Sequence, residues 1–462
     1  MADARTEHVD TGPSGQPALK RVIGPKLLLF FVVGDIIGTG IYALTGQVAG
    51  RVGGALWLPF LLAFAVAFMT AFGYLELVGK YPRAAGAALY TNRAFRIPFL
   101  TFMVAFAVMC SGITSASSAA VAFGNTYLAE FISSPMPLVA ILFIVGLGLI
   151  NFRGVSESVK TNVVLTCIEL AGLLIIIGVG VWAVLNGNGE PGRLVEVDTA
   201  DQTWLVAITS ATSLAFFAMV GFEDSVNMAE ECKDPVRIFP KAMLWGMVVA
   251  ATIYILVSVT SSLLVPADDL KAAESGALLK VIDVGAPGMP REIFSALGLF
   301  AVINSALINM LMASRLLYGM ANEKIIPKQL GTVHPFRRSP WVAIVFTSVI
   351  AIVLVSTVDI GVLGGTTALL LLVVFAVVNI AVLVLRREKV EHKHFRAPTA
   401  IPVFAAIFCL YLVSPLSGRP ARDYTVAAIL LAVGLVLWGI NWMIMRAHHE
   451  PPSRIDAEDL GG

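Results

Sequence analysis

Charge is scarce in this sequence. Of 462 residues only 14% are Asp, Glu, Lys or Arg, where a soluble chain carries about 25%. A set of soluble domains, the first guess from length alone, is excluded by that shortage. Histidine is also rare: the six, His8, His334, His392, His394, His448 and His449, all lie outside the apolar blocks. That argues against a haem or a His-ligated metal inside the blocks. The four cysteines, Cys110, Cys167, Cys232 and Cys409, form no CxxC pair, and a small buried thiol is their ordinary reading. There is no GxxxxGK[ST], so ATP hydrolysis is not indicated. The first 22 residues are polar, without a signal peptide's early apolar core and cleavage site. A net charge of +1 points to no partner, nucleic acid included. No metal and no cofactor is expected.

What is abundant is apolar sequence in long blocks; 57% of the residues are hydrophobic. Blocks of about 17–25 residues cross ~30 Å of hydrocarbon as helices. Spans are expected at 25–48, 54–79, 98–131, 136–152, 159–186, 204–230, 240–266, 291–320, 341–357, 361–386, 400–417 and 423–447. The third is too long for a bilayer and should extend beyond it. The longest polar connectors are 187–203 and 267–290. The fold class is therefore an all-α membrane protein of about twelve transmembrane helices.

Basic residues orient the spans. Of 32 Lys and Arg, all but Arg51, Arg193, Lys271, Lys280, Arg291, Arg419 and Arg422 fall on the side of the N-terminus. This predicts both termini in the cytoplasm, with cytoplasmic tails at 1–24 and 448–462 and a place in the plasma membrane.

Two spans look unable to stay helical. Span 1 reads Gly34-Asp35-Ile36-Ile37-Gly38-Thr39-Gly40-Ile41-Tyr42, and span 6 reads Phe216-Phe217-Ala218-Met219-Val220-Gly221-Phe222-Glu223-Asp224. Each mid-helix glycine costs about 1 kcal/mol against alanine. In lipid an opened backbone must find partners in protein, water or substrate. The plainer reading, small residues for close helix packing, stays open. A broken helix frees N–H groups at one end and carbonyls at the other. The first suits an anion and the second a cation, so together they suit a zwitterion. Paired interruptions at corresponding positions of two repeats point to a transporter's binding site.

At these residues the sequence resembles the amino acid–polyamine–organocation permeases. Gly34 to Ile41 is similar to that family's first-helix glycine motif, and Phe216 to Glu223 to its sixth-helix break. Glu230-Glu231-Cys232-Lys233-Asp234-Pro235, with Arg237 and Pro240, is similar to its cytoplasmic signature. Tyr81-Pro82-Arg83-Ala84-Ala85-Gly86 resembles the loop after helix 2. Ser314-Arg315 to Tyr318, Met320 and Pro327 resemble the end of helix 8. The matches run in family order from residue 34 to 327, and the last 120 or so residues carry none. The Glu323-Lys324 pair departs from the Asp-Gly common in relatives, in a loop away from the site.

The resemblance implies a five-plus-five inverted repeat, 25–186 and 204–386, followed by two C-terminal helices at 400–447. It implies secondary transport of an amino acid by alternating access, as proton symport or exchange, and not an enzyme. Residue by residue, the implied substrate segment is Ile36, Ile37, Gly38, Thr39, Gly40 and Ile41 with Phe217, Val220 and Gly221. The Thr39 and Gly40 amides would hold a carboxylate, and the carbonyls of Ile36, Phe217 and Val220 an amino group. Phe217 would take the place of an aromatic near the substrate. Ser117 in span 3 is a candidate for the substrate side chain. A permease-like receptor that binds without transport, and an amine or polyamine carrier of the same fold, are the alternatives.

Ionisable side chains inside a span are functional candidates, and a carboxyl group withdrawn from water can carry a proton. Glu223, at the second break, reads either as a proton-sensitive acid, as the resemblance implies, or as a hydrogen-bond acceptor for the opened backbone. Asp35, one turn before the first break, can accept from freed N–H groups. Glu76, near the end of span 2, reads as a packing or hydrated residue. Glu169 is a departure: some proton-coupled relatives have a lysine at this place in helix 5, beside the first break. The sign of the charge is reversed, so the lysine mechanism does not transfer. The coupling candidates are Glu223, Glu169 and Asp35. The coupling ion reads as a proton, with sodium still open because Asn304, Ser305 and Asn309 in span 8 are polar enough to help bind one.

Overall fold

Apolar blocks of this length fold as helices because only a helix satisfies its own backbone in hydrocarbon. The computed structural model describes residues 23–82, 86–133, 135–153, 159–198, 202–322, 325–337 and 339–447. It is helical almost throughout. Among the described residues, the one bridge outside helices joins Ile23 to Cys232. Nine helices among the described residues are long and apolar enough to cross a membrane, from Pro25–Val52 to Ala421–Ile444. Three shorter apolar helices, Met136–Phe152, Trp341–Thr357 and Ala400–Val413, lie where spans 4, 9 and 11 are expected. At 1.5 Å per residue they reach only about 21–26 Å, so the count of twelve rests on these three. The chain is a multi-pass membrane protein of apolar helices. Exposed large apolar residues such as Leu149, Trp182, Leu185, Val349 and Ile407 stud its outside, where a bilayer would cover them. Both tails, 1–22 and 448–462, lie outside the described residues, as do Arg83, Ala84, Ala85, Glu323 and Lys324 of the motifs.

Boundaries follow the sequence reading closely, with three additions. Gly86–Phe95 after span 2 and Ala267–Ala272 and Ala277–Gly285 in the long connector are short helices, too polar or too brief to stand out as spans. Span 7 begins early, at Pro235, because Asp234 accepts the Arg237 N–H at 3.3 Å and Pro235 takes a first-turn position, where its missing N–H costs nothing. Span 3 is regular over Pro98–Ala122 and then loosens into a π turn at Phe123–Tyr127 and a 3₁₀ turn at Leu128–Glu130.

Buried charge appears at both ends of span 10 (Ile360–Leu385). At its C-terminal end, Arg386 donates to Glu76 through Nε at 2.8 Å and Nη2 at 2.7 Å. The same carboxylate accepts the Ala397 N–H at 2.9 Å, and Lys80 caps the carbonyls of Leu385 and Glu388. Hydrogen bonding to Glu76 holds the Arg386 guanidinium above its ordinary value. Glu76 therefore packs, as expected, and its partner is an arginine 310 positions away. Beside it, burial and the 2.5 Å bond to Glu388 push the Tyr81 hydroxyl upward. Breaking a buried pair by removing one partner costs about 3–5 kcal/mol. Arg386→Ala is thus expected to lower the melting temperature of the purified protein clearly. Lys389→Ala serves as the comparison; equal melting of the two variants would show that the clamp contributes little.

Candidate functional site

Span 1 is two helices. Pro25–Ile36 stops, Ile37 and Gly38 leave the helical path, and Thr39–Val52 begins. Gly38 has φ −140° and ψ −140°, and its N–H bonds the Ile36 carbonyl at 3.0 Å. The N–H groups of Thr39, Gly40 and Ile41 open the second helix, where no intrahelical acceptor precedes them. The Thr39 hydroxyl is buried without a hydrogen-bond partner among the described residues. Span 6 is interrupted over a longer stretch. Trp204–Ala215 gives way to a 3₁₀ turn at Phe216–Met219, an extended Val220, and Gly221 at φ +121°. A further 3₁₀ segment, Asp224–Glu231, completes it.

Glycine brings the two breaks together. A Cβ on Gly221 would stand 2.6 Å from the Asp35 carbonyl oxygen, and one on Gly40 2.5 Å from the Ala218 Cα. Only a residue without a side chain allows backbones to approach that closely. The two glycines of span 1 therefore divide their tasks. Gly38 makes the break, whereas Gly40 is helical and makes the contact with span 6. At Gly221 both reasons apply, since its φ already disfavours any other residue.

Several expected contributors are engaged by the protein itself. The Ile36 carbonyl accepts the Gly38 N–H and the Tyr254 hydroxyl, the latter at 2.6 Å, which uses both lone pairs. The Ile37 N–H bonds Val33, and Ile37 and Ile41 are fully buried. The Phe217 carbonyl takes the Val220 N–H at a long 3.4 Å. The Ser117 hydroxyl donates to Ile113 in its own helix at 2.8 Å. Tyr254 sits in an apolar run of span 7 with no motif around it, and sequence reasoning gave no signal for it.

The carboxylates divide into two groups. Glu223 accepts the Gly221 N–H at 2.9 Å, which is the backbone-bonding reading of this residue. It also lines a cavity of about 20 Å³ with Asp224, Val220, Ser111, Asn309 and Thr367, room for about one water molecule. Asp35 adjoins this group through its backbone, against Gly221. Glu169 stands apart in span 5 and is fully buried. Its Oε1 accepts Asn304 at 3.1 Å, its backbone carbonyl accepts the Tyr42 hydroxyl at 2.6 Å, and Oε2 has no hydrogen-bond partner among the described residues. Tyr42 belongs to the half of span 1 after the break and Asn304 to span 8, so Glu169 bonds to the second half of span 1 and to span 8. Ser305, next to Asn304, faces Gly38 itself.

The site thus offers the first-turn amides of a half-helix, a hydroxyl with no hydrogen-bond partner among the described residues, and carboxyl groups on two sides. Residues 23–445 match a family model described as amino acid permease. The chain belongs to that family. It is a transporter family and not an enzyme family, within the amino acid–polyamine–organocation permeases. The permease is similar to a branched-chain amino acid permease of Bacillus subtilis, 25% identical over 92% of this chain and 94% of the relative. A methylthioribose transporter of the same organism is 26% identical, with the same coverage. The vacuolar cationic amino acid transporter 2 of Arabidopsis thaliana is 28% identical over 83% of this chain and 62% of its own length.

Gly40→Val places branched carbon atoms in the backbone of Ala218, which cannot yield as a flexible side chain can. The variant is expected to insert and purify normally but to lose uptake by the reconstituted permease. Uptake at the parent rate would remove the Gly40–Ala218 contact from the site.

Proposed function

We propose that this permease carries an amino acid across the plasma membrane by alternating access, with both termini cytoplasmic and a proton as the coupling ion. The observation that carries the reading is the meeting of two broken helices at Gly221–Asp35 and Gly40–Ala218. The amides of Thr39, Gly40 and Ile41 receive the substrate carboxylate, assisted by the Thr39 hydroxyl. The carbonyls of Phe217 and Val220 receive the amino group, and that of Ile36 joins them when Tyr254 withdraws. Ser117 reaches the side chain only by releasing Ile113. A cavity of about 20 Å³ is far below a ligand-sized pocket of about 300 Å³ or more, so binding requires the halves to part. The repeats 25–186 and 204–386 supply the moving parts. Similar proteins are named for branched-chain, cationic and methylthioribose substrates, so the family leaves the side chain open.

Proton coupling rests on Glu169. Its carboxyl group is buried beside the first break, and a neutral asparagine is its bonded side-chain partner. Gaining or losing a proton there changes what the adjoining backbone and Tyr42 can bond. Glu169→Gln keeps an acceptor for Asn304 and removes only the charge. The variant is expected to retain amino acid exchange in liposomes but lose the pH dependence of uptake. Unaltered pH dependence would discard Glu169 as the carrier, and the same substitution at Glu223 would then test the second carboxyl.

A second reading, a cationic amino acid or amine as substrate, is favoured by Glu223 and Asp224 lining a cavity that has no basic side chain. Thermal-shift screening of the purified permease against neutral and cationic amino acids and simple amines separates the two. A ligand at a hundredfold excess over its Kd adds about 2.7 kcal/mol of stability, which is readily detected. No stabilisation and no flux with any of these compounds would overturn both.

A further inference from the structure

The last two helices lie outside the two repeats, yet the connector between them reaches the broken span 6. Arg419, in that connector, has a fully buried side chain. Its Nη2 donates to the Ser213 carbonyl at 3.2 Å. Nη1 donates to the Gly365 carbonyl of span 10 at 2.6 Å and to Asp423 at 3.2 Å. Nε donates to Leu412 at 3.3 Å. Ser213 lies in the last turn of Trp204–Ala215, so its carbonyl is among those a helix leaves unsatisfied where it ends. A second guanidinium serves the same half-helix: Arg51, at the end of span 1, donates to the Ser210 carbonyl at 3.1 Å. Arg51 and Arg419 both act electrostatically on Asp423. The packing is shaped for this group. A Cβ on Gly365 would collide with the Asp423 carboxylate, and Gly418, at φ +75°, lets the connector lie against Val206 of span 6. Thr209 also donates to the Ser417 carbonyl at 3.1 Å.

A fully buried cation, Arg419, and a half-buried one, Arg51, share one carboxylate here. Burying charge is costly unless good hydrogen bonds satisfy it, and the remaining acceptors are backbone carbonyls, with Ser213 and Ser210 toward the negative end of the half-helix and Gly365 and Leu412 on span 10 and the helix before the connector. Such a cluster is favourable only while the half-helix, span 10 and the connector stay together; water entering between them would solvate the arginines separately. We propose that Arg419, with Arg51 and Asp423, is a positioning residue that docks the first half of span 6 onto span 10 and closes this face of the permease. The last two helices thereby take part in setting the substrate site, a role that rests on the paired-break reading above.

The test uses the full chain with Cys167 replaced by serine, since the other three cysteines are buried. Ser213→Cys reports on the docked half-helix, and Ser225→Cys on the segment of span 6 beyond the break. Maleimide labelling of the purified, substrate-free protein is compared with and without Arg419→Gln. A hydrogen bond to a charged group contributes about 1.5–3 kcal/mol, so labelling of the Ser213→Cys reporter should rise about tenfold or more. The Ser225→Cys reporter should not change. Arg419→Lys, a point charge that cannot reach four acceptors at once, should fall between. Should Arg419→Gln fail to purify, Asp423→Asn, which preserves shape, should give the same selective rise. An equal rise at both reporters, or none at Ser213→Cys, overturns the proposal. Labelling needs no substrate, so absence of amino acid flux in the parent would bear on the proposed function alone.

Discussion

A polypeptide inside hydrocarbon has no water to satisfy an opened backbone, and every unusual feature of this permease answers that constraint. The chain opens its backbone twice, at Ile37–Gly38 and at Phe216–Glu223. It then supplies partners from far along the sequence. Tyr254 of span 7 donates to Ile36, Glu223 accepts the Gly221 N–H, and Arg419 donates to the carbonyl of Ser213. In the proposed function, the amides of Thr39, Gly40 and Ile41, with the unpartnered Thr39 hydroxyl, are what a ligand would take. A substrate carboxylate at that point would complete the accounting that the protein leaves open.

The same constraint governs the charged side chains. Glu76 and Arg386 neutralise each other at one end of span 10, and Arg419 and Asp423 do so at the other. Both pairs are surrounded by backbone acceptors or donors, which is what makes buried charge tolerable. Glu169 differs from them. It has an amide and not a cation for its bonded side-chain partner, and the proposed proton coupling rests on that difference.

Sequence pattern alone established much of this. Apolar block length and the scarcity of charge located the helices to within a few residues. The glycines and acids of spans 1 and 6 marked where those helices break, and five ordered motifs pointed to the family. These features are local, because helix length, backbone breaking by glycine and short motifs depend on neighbouring residues.

Tertiary structure alone decided who bonds to whom. Gly38 and Gly40 look equivalent in sequence, but packing against Ala218 assigns one to the contact and leaves the break to the other. The Ile36 carbonyl is free by pattern and occupied by fold. Tyr254 and Arg419 carry no motif, and Arg419 lies 206 positions from Ser213. Apolar spans resemble one another too closely for sequence to say which faces pair. The pairing is set by close packing of small residues and by the need to satisfy each buried polar group, and both are properties of the assembled bundle.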